Sequence, residues 1–401
     1  MKSLRSLAAA AIAAGFLALG QTAVAQDERP TVTIGFLDLV EDIRYDDWGV
    51  HPVDIRSETG FGERRAYAGA ELGLEELKRL ERVAKAQFAM RRESVAGSAT
   101  MVEAIERMRG EGVSFYVLDA PDDVVAEVAA RTAGLDVVLF NTTATGDDLR
   151  NELCQPHLFH TAASRAMLAD AIAQYLIAQK WQDVLILRGP LDEDDETVVA
   201  FERAADLFGL DIEDIRDFVL GNDPRAREVN DLAFLTGRAS YDAVFVADID
   251  GEFALGVPYA TQDPAAVVGA SGLMPRTWHW SYLRHGAPQV HGRFERMHGR
   301  RMGEADWGAW IAMKTIGNGI ARAKTTDAAA VADFLSAGKF RIDGSKGPGM
   351  GFRPWNNQLR QPIMLTSGDW VTARAPIEGF KHRTNDLDTL GHDERDSSCK
   401  F

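Results

Sequence analysis

Residues 113 to 140, VSFYVLDAPDDVVAEVAARTAGLDVVLF, carry the pattern on which the fold turns. Val113 to Leu118 and Leu135 to Phe140 are apolar runs of strand length, and Asp122 to Ala133 between them reads as a helix started by Pro121 or Asp122. The strands are continuously apolar and do not alternate. Both of their faces must therefore be covered, which implies a parallel sheet between layers of helices, connected by right-handed crossovers. Toward the N-terminus the same unit recurs. Thr31 to Phe36 is a strand ahead of a helical pattern from Glu63 to Arg82, and Gln87 to Met90 is a strand ahead of Met101, Val102, Ile105 and Met108 on one helical face ended by Gly110.

Toward the C-terminus a second series begins after Thr161. It runs as helix Met167 to Gln179, strand Val184 to Leu187, helix Thr197 to Phe208, strand Ile212 to Val219, helix Arg225 to Thr236 and strand Ala243 to Ala247. Two series predict an α/β protein of two doubly wound parallel-sheet lobes, the number that 401 residues favour. Ser271 to Gly303 breaks the rhythm and reads as a crossing segment. Helix Trp307 to Ala323, a Gly-rich loop from Gly344 to Gly351, a strand at Pro362 to Thr366 and a polar tail from Lys381 that need not fold complete the chain.

The first residues read as a separate message. Lys2 and Arg5 precede an apolar stretch from Leu7 to Leu19, and Ala23-Val24-Ala25 has the form of a signal-peptide cleavage site, so residues 1–25 are expected to be removed on export to the periplasm. No later stretch reaches the 18 apolar residues of a membrane span, so direct membrane insertion is not expected. The formal charge of −16 repels phosphate backbones and argues against a nucleic-acid partner. Export also makes a bridge between the two cysteines, Cys154 and Cys399, chemically open, worth about 5 kcal/mol by loop-closure entropy; two unpaired buried thiols are the other reading.

Val138-Leu139-Phe140-Asn141-Thr142-Thr143-Ala144-Thr145 and the segment Leu158 to Ser164 resemble the ligand strand and first interlobe crossing of type I periplasmic solute-binding proteins of the Leu/Ile/Val-binding kind. Phe352-Arg353-Pro354-Trp355-Asn356-Asn357-Gln358-Leu359-Arg360-Gln361-Pro362 resembles the branch of that family that accompanies PQQ-dependent (quinoprotein) alcohol oxidation. The resemblance implies lobe one at 30–160 plus 285–345, lobe two at 161–284 plus 346–380, a multi-strand hinge, and a polar tail at 381–401. It also implies a monomer that captures a small solute, amino-acid-like or alcohol-derived, and delivers it to an ABC permease of the inner membrane. A ligand-sensing receptor for a regulatory partner and a metal-dependent periplasmic enzyme are the rival readings.

In open parallel sheets ligands bind beyond the carboxyl ends of the strands, so the loops there supply the candidate ligand-binding residues. In lobe one these are Tyr45, Asp119, Asn141, Thr143, Ala144 and Thr145; in lobe two they are Asp192, Asp248, Asp250 and Ser271. Asn141, Thr143 and Thr145 can hydrogen-bond a polar group without bringing charge, or can simply cap a turn. Asp119 stands where the family carries a hydroxyl-rich loop, which puts the usual amino-acid ligand in question. Asp248 and Asp250 would suit a cation or a polyol, unless paired. The acidic run Asp192 to Glu196 could collect a hard cation, but lacks the ligand spacing of a calcium loop and reads more simply as a solvated loop before a helix. Trp278, His279 and Trp280, with Tyr282 and His285, form an aromatic cluster suited to lining the cleft or to packing beneath it; Tyr45 and Trp48 share that ambiguity.

Enzyme signatures are thin. His157 and His160 lack a third ligand at fixed spacing, there is no G-x-S-x-G elbow, and Gly347 to Gly351 is not a phosphate loop. No catalytic residue, metal site or cofactor is expected.

Overall fold

The structure is a computed structural model and describes residues 29–45, 65–221 and 228–401. The leader at 1–25, Trp48, and parts of the helical patterns at 63–82 and 225–236 lie outside the described residues.

Strands β1 (Thr31–Leu39), β2 (Gln87–Val95), β3 (Phe115–Asp119), β4 (Val138–Asn141) and β5 (Leu158–His160) form one parallel sheet in the order β2-β1-β3-β4-β5. Helices α1 (Tyr67–Leu77), α2 (Glu81–Ala84), α3 (Ser98–Gly110) and α4 (Asp122–Arg131) connect them. The second lobe follows as α5 (Arg165–Gln179), β6 (Asp183–Arg188), α6 (Asp192–Phe208), β7 (Asp211–Asp217), α7 (Leu232–Leu235), β8 (Ala243–Ala247), α8 (Val257–Ala260) and β9 (Ala266–Gly269). Its sheet is parallel, in the order β7-β6-β8-β9. The doubly wound α/β lobes expected from the apolar strands are present: Phe115 to Leu118 and Val184 to Leu187 are buried on both faces.

The remaining chain weaves between the lobes. It forms β10 (Met274–Arg276), α9 (Ala287–His298), α10 (Glu304–Ala323), α11 (Ala328–Ser336), β11 (Gly351–Phe352), β12 (Leu359–Arg360), β13 (Ile363–Ser367) and β14 (Trp370–Ala375). Strands β10, β13 and β14 make an antiparallel sheet on lobe two, whereas α10 packs on α1 in lobe one. At that contact Gly69 lies so close to the backbone of Asp306 that a Cβ would overlap its carbonyl oxygen.

Three expectations need correction. Helix α6 begins at Asp192, so the acidic run is the first turn of a helix and not a loop before one; carboxylates there offset the positive end of the helix dipole. Trp278 and Tyr282, expected in lobe two, belong to the core of lobe one with Trp307 and Trp310, because their rings complete the apolar layer over α10. The tail from Lys381 is folded: Leu387 and Leu390 are buried, as is Asp388 between the guanidinium groups of Arg353 and Arg360.

Three crossings join the lobes, at 161–164, near 277–286 and at 346–362. Arg150, buried to 1% exposure, ties the first to the third: its guanidinium donates to Gln358 Oε1 (2.9 Å) and to the carbonyls of Gly146 (2.7 Å), Ala144 (3.0 Å) and Ala162 (3.1 Å). Burial pulls its pKa down to about 10. Gln361 donates to Thr161 O (2.8 Å) and accepts from the buried ammonium of Lys346 (2.7 Å), which also sits 3.5 Å from the Trp307 ring centroid. Arg150, Gln358, Gln361 and Lys346 thus enter the hinge as buried polar groups that are hydrogen-bonded, as desolvation requires. Cys154 and Cys399 form a disulfide with Cα atoms 5.9 Å apart. No helix among the described residues is long and apolar enough to cross a membrane.

Candidate ligand-binding site

A cavity of about 750 Å³ lies between the lobes, where the carboxyl ends of both parallel sheets face each other. Lobe one contributes Arg44, Tyr45, Asp119, Thr142, Thr143, Thr145 and Gly308. The crossings contribute Thr161 to Ala163 and Thr277 to Trp280, and lobe two contributes Leu168, Ile249, Met274, Pro275, Thr366 and Asp369. Gly299 to Asp306, running from the end of α9 into the first turn of α10, close one side.

The lobe-one wall is built on two loops. After β4, Asn141 uses its whole side chain to fold the turn: its oxygen accepts from the N–H groups of Thr143 (3.2 Å) and Ala144 (2.8 Å), while its amide nitrogen donates to Ala144 O (2.8 Å) and lies 3.1 Å from His160 Nδ1. That turn presents Thr145 to the cavity. The N–H groups of Thr145 and Ala163, and the Thr145 hydroxyl, meet no acceptor among the described residues. Ala163 precedes Ser164, which caps α5 by accepting from Met167 N. Free donors therefore collect at the positive end of a 15-residue helix, an arrangement that suits an acceptor-rich ligand group.

After β3, Asp119 is 1% exposed and organises the opposite side of this wall. Its carboxylate accepts from Ala66 N (2.9 Å) and Thr143 Oγ1 (3.0 Å) and lies 3.7 Å from the Arg44 guanidinium. Burial raises its pKa to about 6, against the opposing influence of Arg44 and the two donors. Arg44 donates to Thr143 Oγ1 (3.2 Å) and to Asp42 (2.8 Å). Tyr45 donates to Asp119 O (3.0 Å) and stacks under Arg65 at 4.1 Å.

On the far side, Glu304 accepts from Arg276 (2.8 Å) and Thr277 N (2.5 Å), and Asp306 pairs with Arg300 (2.6 Å). Arg301 covers Trp280 at 3.5 Å. His279 accompanies Trp280, and burial, helped by Arg276, lowers its pKa to about 4, so it is neutral at neutral pH. Its Nδ1 lies 2.8 Å from Ser281 Oγ. The lobe-two wall combines the apolar Leu168, Ile249, Met274 and Pro275 with Arg276, Thr366 and Asp369.

Of the residues singled out from sequence, Tyr45, Asp119, Thr143 and Thr145 line the cavity together with Trp278, His279 and Trp280. The others do not. Asn141 and Ala144 lie behind the turn they close. Asp192 is exposed at the start of α6. The Asp248 carboxylate accepts from Ala254 N (2.8 Å) within the short helix Phe253–Leu255, and Asp250 is exposed. Ser271 is buried beyond β9. Ile249, between the two aspartates, is what lobe two presents at this position. His157 and His160 hold Thr132 Oγ1 (3.0 Å) and Asn141 and have no part in the cavity. No group of three or more metal-ligating side chains occurs among the described residues.

No protein-family model matches the sequence, and no curated protein matches it. Solved structures do. An ABC transporter substrate-binding protein from Sphaerobacter thermophilus superposes with a TM-score of 0.71 at 15% identity, covering 90% of this chain and 100% of that one. A branched-chain amino acid ABC transporter periplasmic ligand-binding protein from Burkholderia xenovorans LB400 gives 0.69 at 12% identity, covering 92% and 99%. The chain has the two-lobe fold of periplasmic binding proteins. A solute-binding protein of an ABC transporter from Rhodopseudomonas palustris BisB5, in complex with 3,4-dihydroxybenzoic acid, shares it at a TM-score of 0.61 and 12% identity, covering 86% and 94%.

Proposed function

We propose that this protein is the periplasmic substrate-binding component of an ABC transporter, a monomer exported by the leader at residues 1–25, which closes its lobes on a small solute and presents the closed form to an inner-membrane permease. The observation that carries this reading is the interlobe cavity, where free donors at Thr145 and Ala163 face an apolar wall of Leu168, Ile249, Met274 and Pro275. A solute with an acceptor-rich polar end and an apolar body fits that pairing of walls. The dihydroxybenzoate-bound and amino-acid-related neighbours support a small organic acid, and the resemblance of Phe352 to Pro362 to the quinoprotein-associated branch favours one derived from an alcohol.

The solute released on denaturing the purified protein, identified by mass spectrometry, is expected to rebind the stripped protein with a stoichiometry of one in calorimetry. Thr145→Val removes a hydroxyl without changing shape and should weaken that binding by about tenfold. Asp250→Ala and Asp192→Ala, outside the cavity, should leave it unchanged. Absence of any saturable solute would defeat the proposal.

A further inference from the structure

The chain end runs from one lobe to the other. Beyond β14 it lies along α5 of lobe two: Ile377 N donates to Gln174 Oε1 (3.0 Å), Gln174 donates to Thr389 O (3.1 Å), and Gly391 N donates to Asp170 (2.5 Å). Leu390 sits in the lobe-two core beside Met167. Here the segment is also clasped by the third crossing, since Arg353 donates to Leu387 O (3.2 Å) and pairs with Asp388 (3.0 Å). His392 O still accepts from Arg353 (3.4 Å) and Asp393 lies 3.5 Å from His382; beyond them the chain ends, through Cys399, on Cys154 in the lobe-one loop whose Leu149 is part of the lobe-one core.

We propose that residues 387–399 are a covalent strap across the hinge that limits how far the lobes open. Eight peptide steps separate the Gly391 anchor from the bridged Cys399, so the two attachment points can part by at most about 29 Å. The three crossings are covalent links as well; the strap adds a fourth link, of limited length, between Asp170 of α5 and the loop of Cys154. A limit on opening keeps the ligand-free protein near its closed geometry and raises the fraction competent to close. The proposal rests on the two-lobe capture reading, but its test needs no ligand.

Spin labels on ketone-bearing unnatural residues at Glu106 of α3 and Asp206 of α6, both exposed, report the interlobe distance. In ligand-free protein, Cys154→Ser with Cys399→Ser, and separately Cys154→Ser with residues 393–401 deleted, are expected to shift the distance distribution outward by several ångström and to broaden it. The labelled protein with both cysteines intact, reduced by a phosphine, gives the same comparison without any substitution at the bridge. Unchanged distributions, even with a lower melting temperature, would show that the bridge only stabilises the fold and would overturn the proposal. Failure of the capture reading shows itself separately, as the absence of a solute that binds.

Discussion

Asp388→Ala is expected to lower the apparent melting temperature by about 5 °C, because removing one member of a buried charge cluster costs about 3–5 kcal/mol against the unfolding entropy of a chain of this size. The carboxylate accepts from Arg353 (3.0 Å) and from Arg360 (2.8 Å and 3.0 Å), and both arginines are almost wholly buried. Without Asp388 they keep carbonyl acceptors, Leu387 O for Arg353 and Phe352 O for Arg360, but no counter-charge. The exposed pair of Lys381 with Asp386, two residues away, provides the control: Asp386→Ala should not move the transition detectably. Scanning calorimetry of the three proteins decides the matter. A variant at Asp388 that melts with the wild type would mean the cluster carries no net burden of charge.

Asp119→Ala is expected to weaken solute binding by about a hundredfold, since one buried carboxylate ties Ala66 N–H, the Thr143 hydroxyl and Arg44 to a single point beside the cavity; without it Ala66 N–H loses its acceptor, while Arg44 keeps Asp42 as its counter-charge and the Thr143 hydroxyl keeps Ala120 O as its acceptor. The same group makes binding depend on pH. Burial raises its pKa from 3.8 to about 6 in the folded protein. A raised carboxyl pKa means that ionisation costs folding free energy: the cost is absent below 3.8 and complete above about 6. The donors around Asp119 nevertheless call for the ionised form, so a solute that needs this wall in place binds it preferentially. Affinity should therefore weaken as pH falls through about 6, and binding near that pH should release protons, seen as a reaction enthalpy that varies with the buffer. Both effects should vanish in Asp119→Asn. Equal affinity from acid to neutral pH in the wild type would contradict this role.

The two-lobe architecture was legible because apolar runs such as Val184 to Leu187 can only be strands covered on both faces, and the helices between them set the topology. The lobe-one half of the site was legible for a related reason: Asp119 ends β3 and Thr143 and Thr145 lie in the loop after β4, and in open α/β sheets that position faces the cleft. Lobe two misled because charge drew notice to Asp248 and Asp250, whereas Asp248 is buried and accepts from Ala254 N, Asp250 is exposed, and the apolar Ile249 faces the cavity. Arg300 to Asp306 escaped because that stretch has no βα rhythm, and only tertiary packing brings it to the cavity. The tail escaped for a similar reason. Its polarity suggested solvent, but Asp388 is polar because two buried arginines from the third crossing require it.

In the proposed receptor, capture and closure are one event. Small-angle scattering from stripped protein, titrated with the solute released from it, follows the two together. The radius of gyration is expected to shrink saturably and level off at one equivalent. A radius that stays constant while calorimetry records full binding would show that the lobes do not close on the solute.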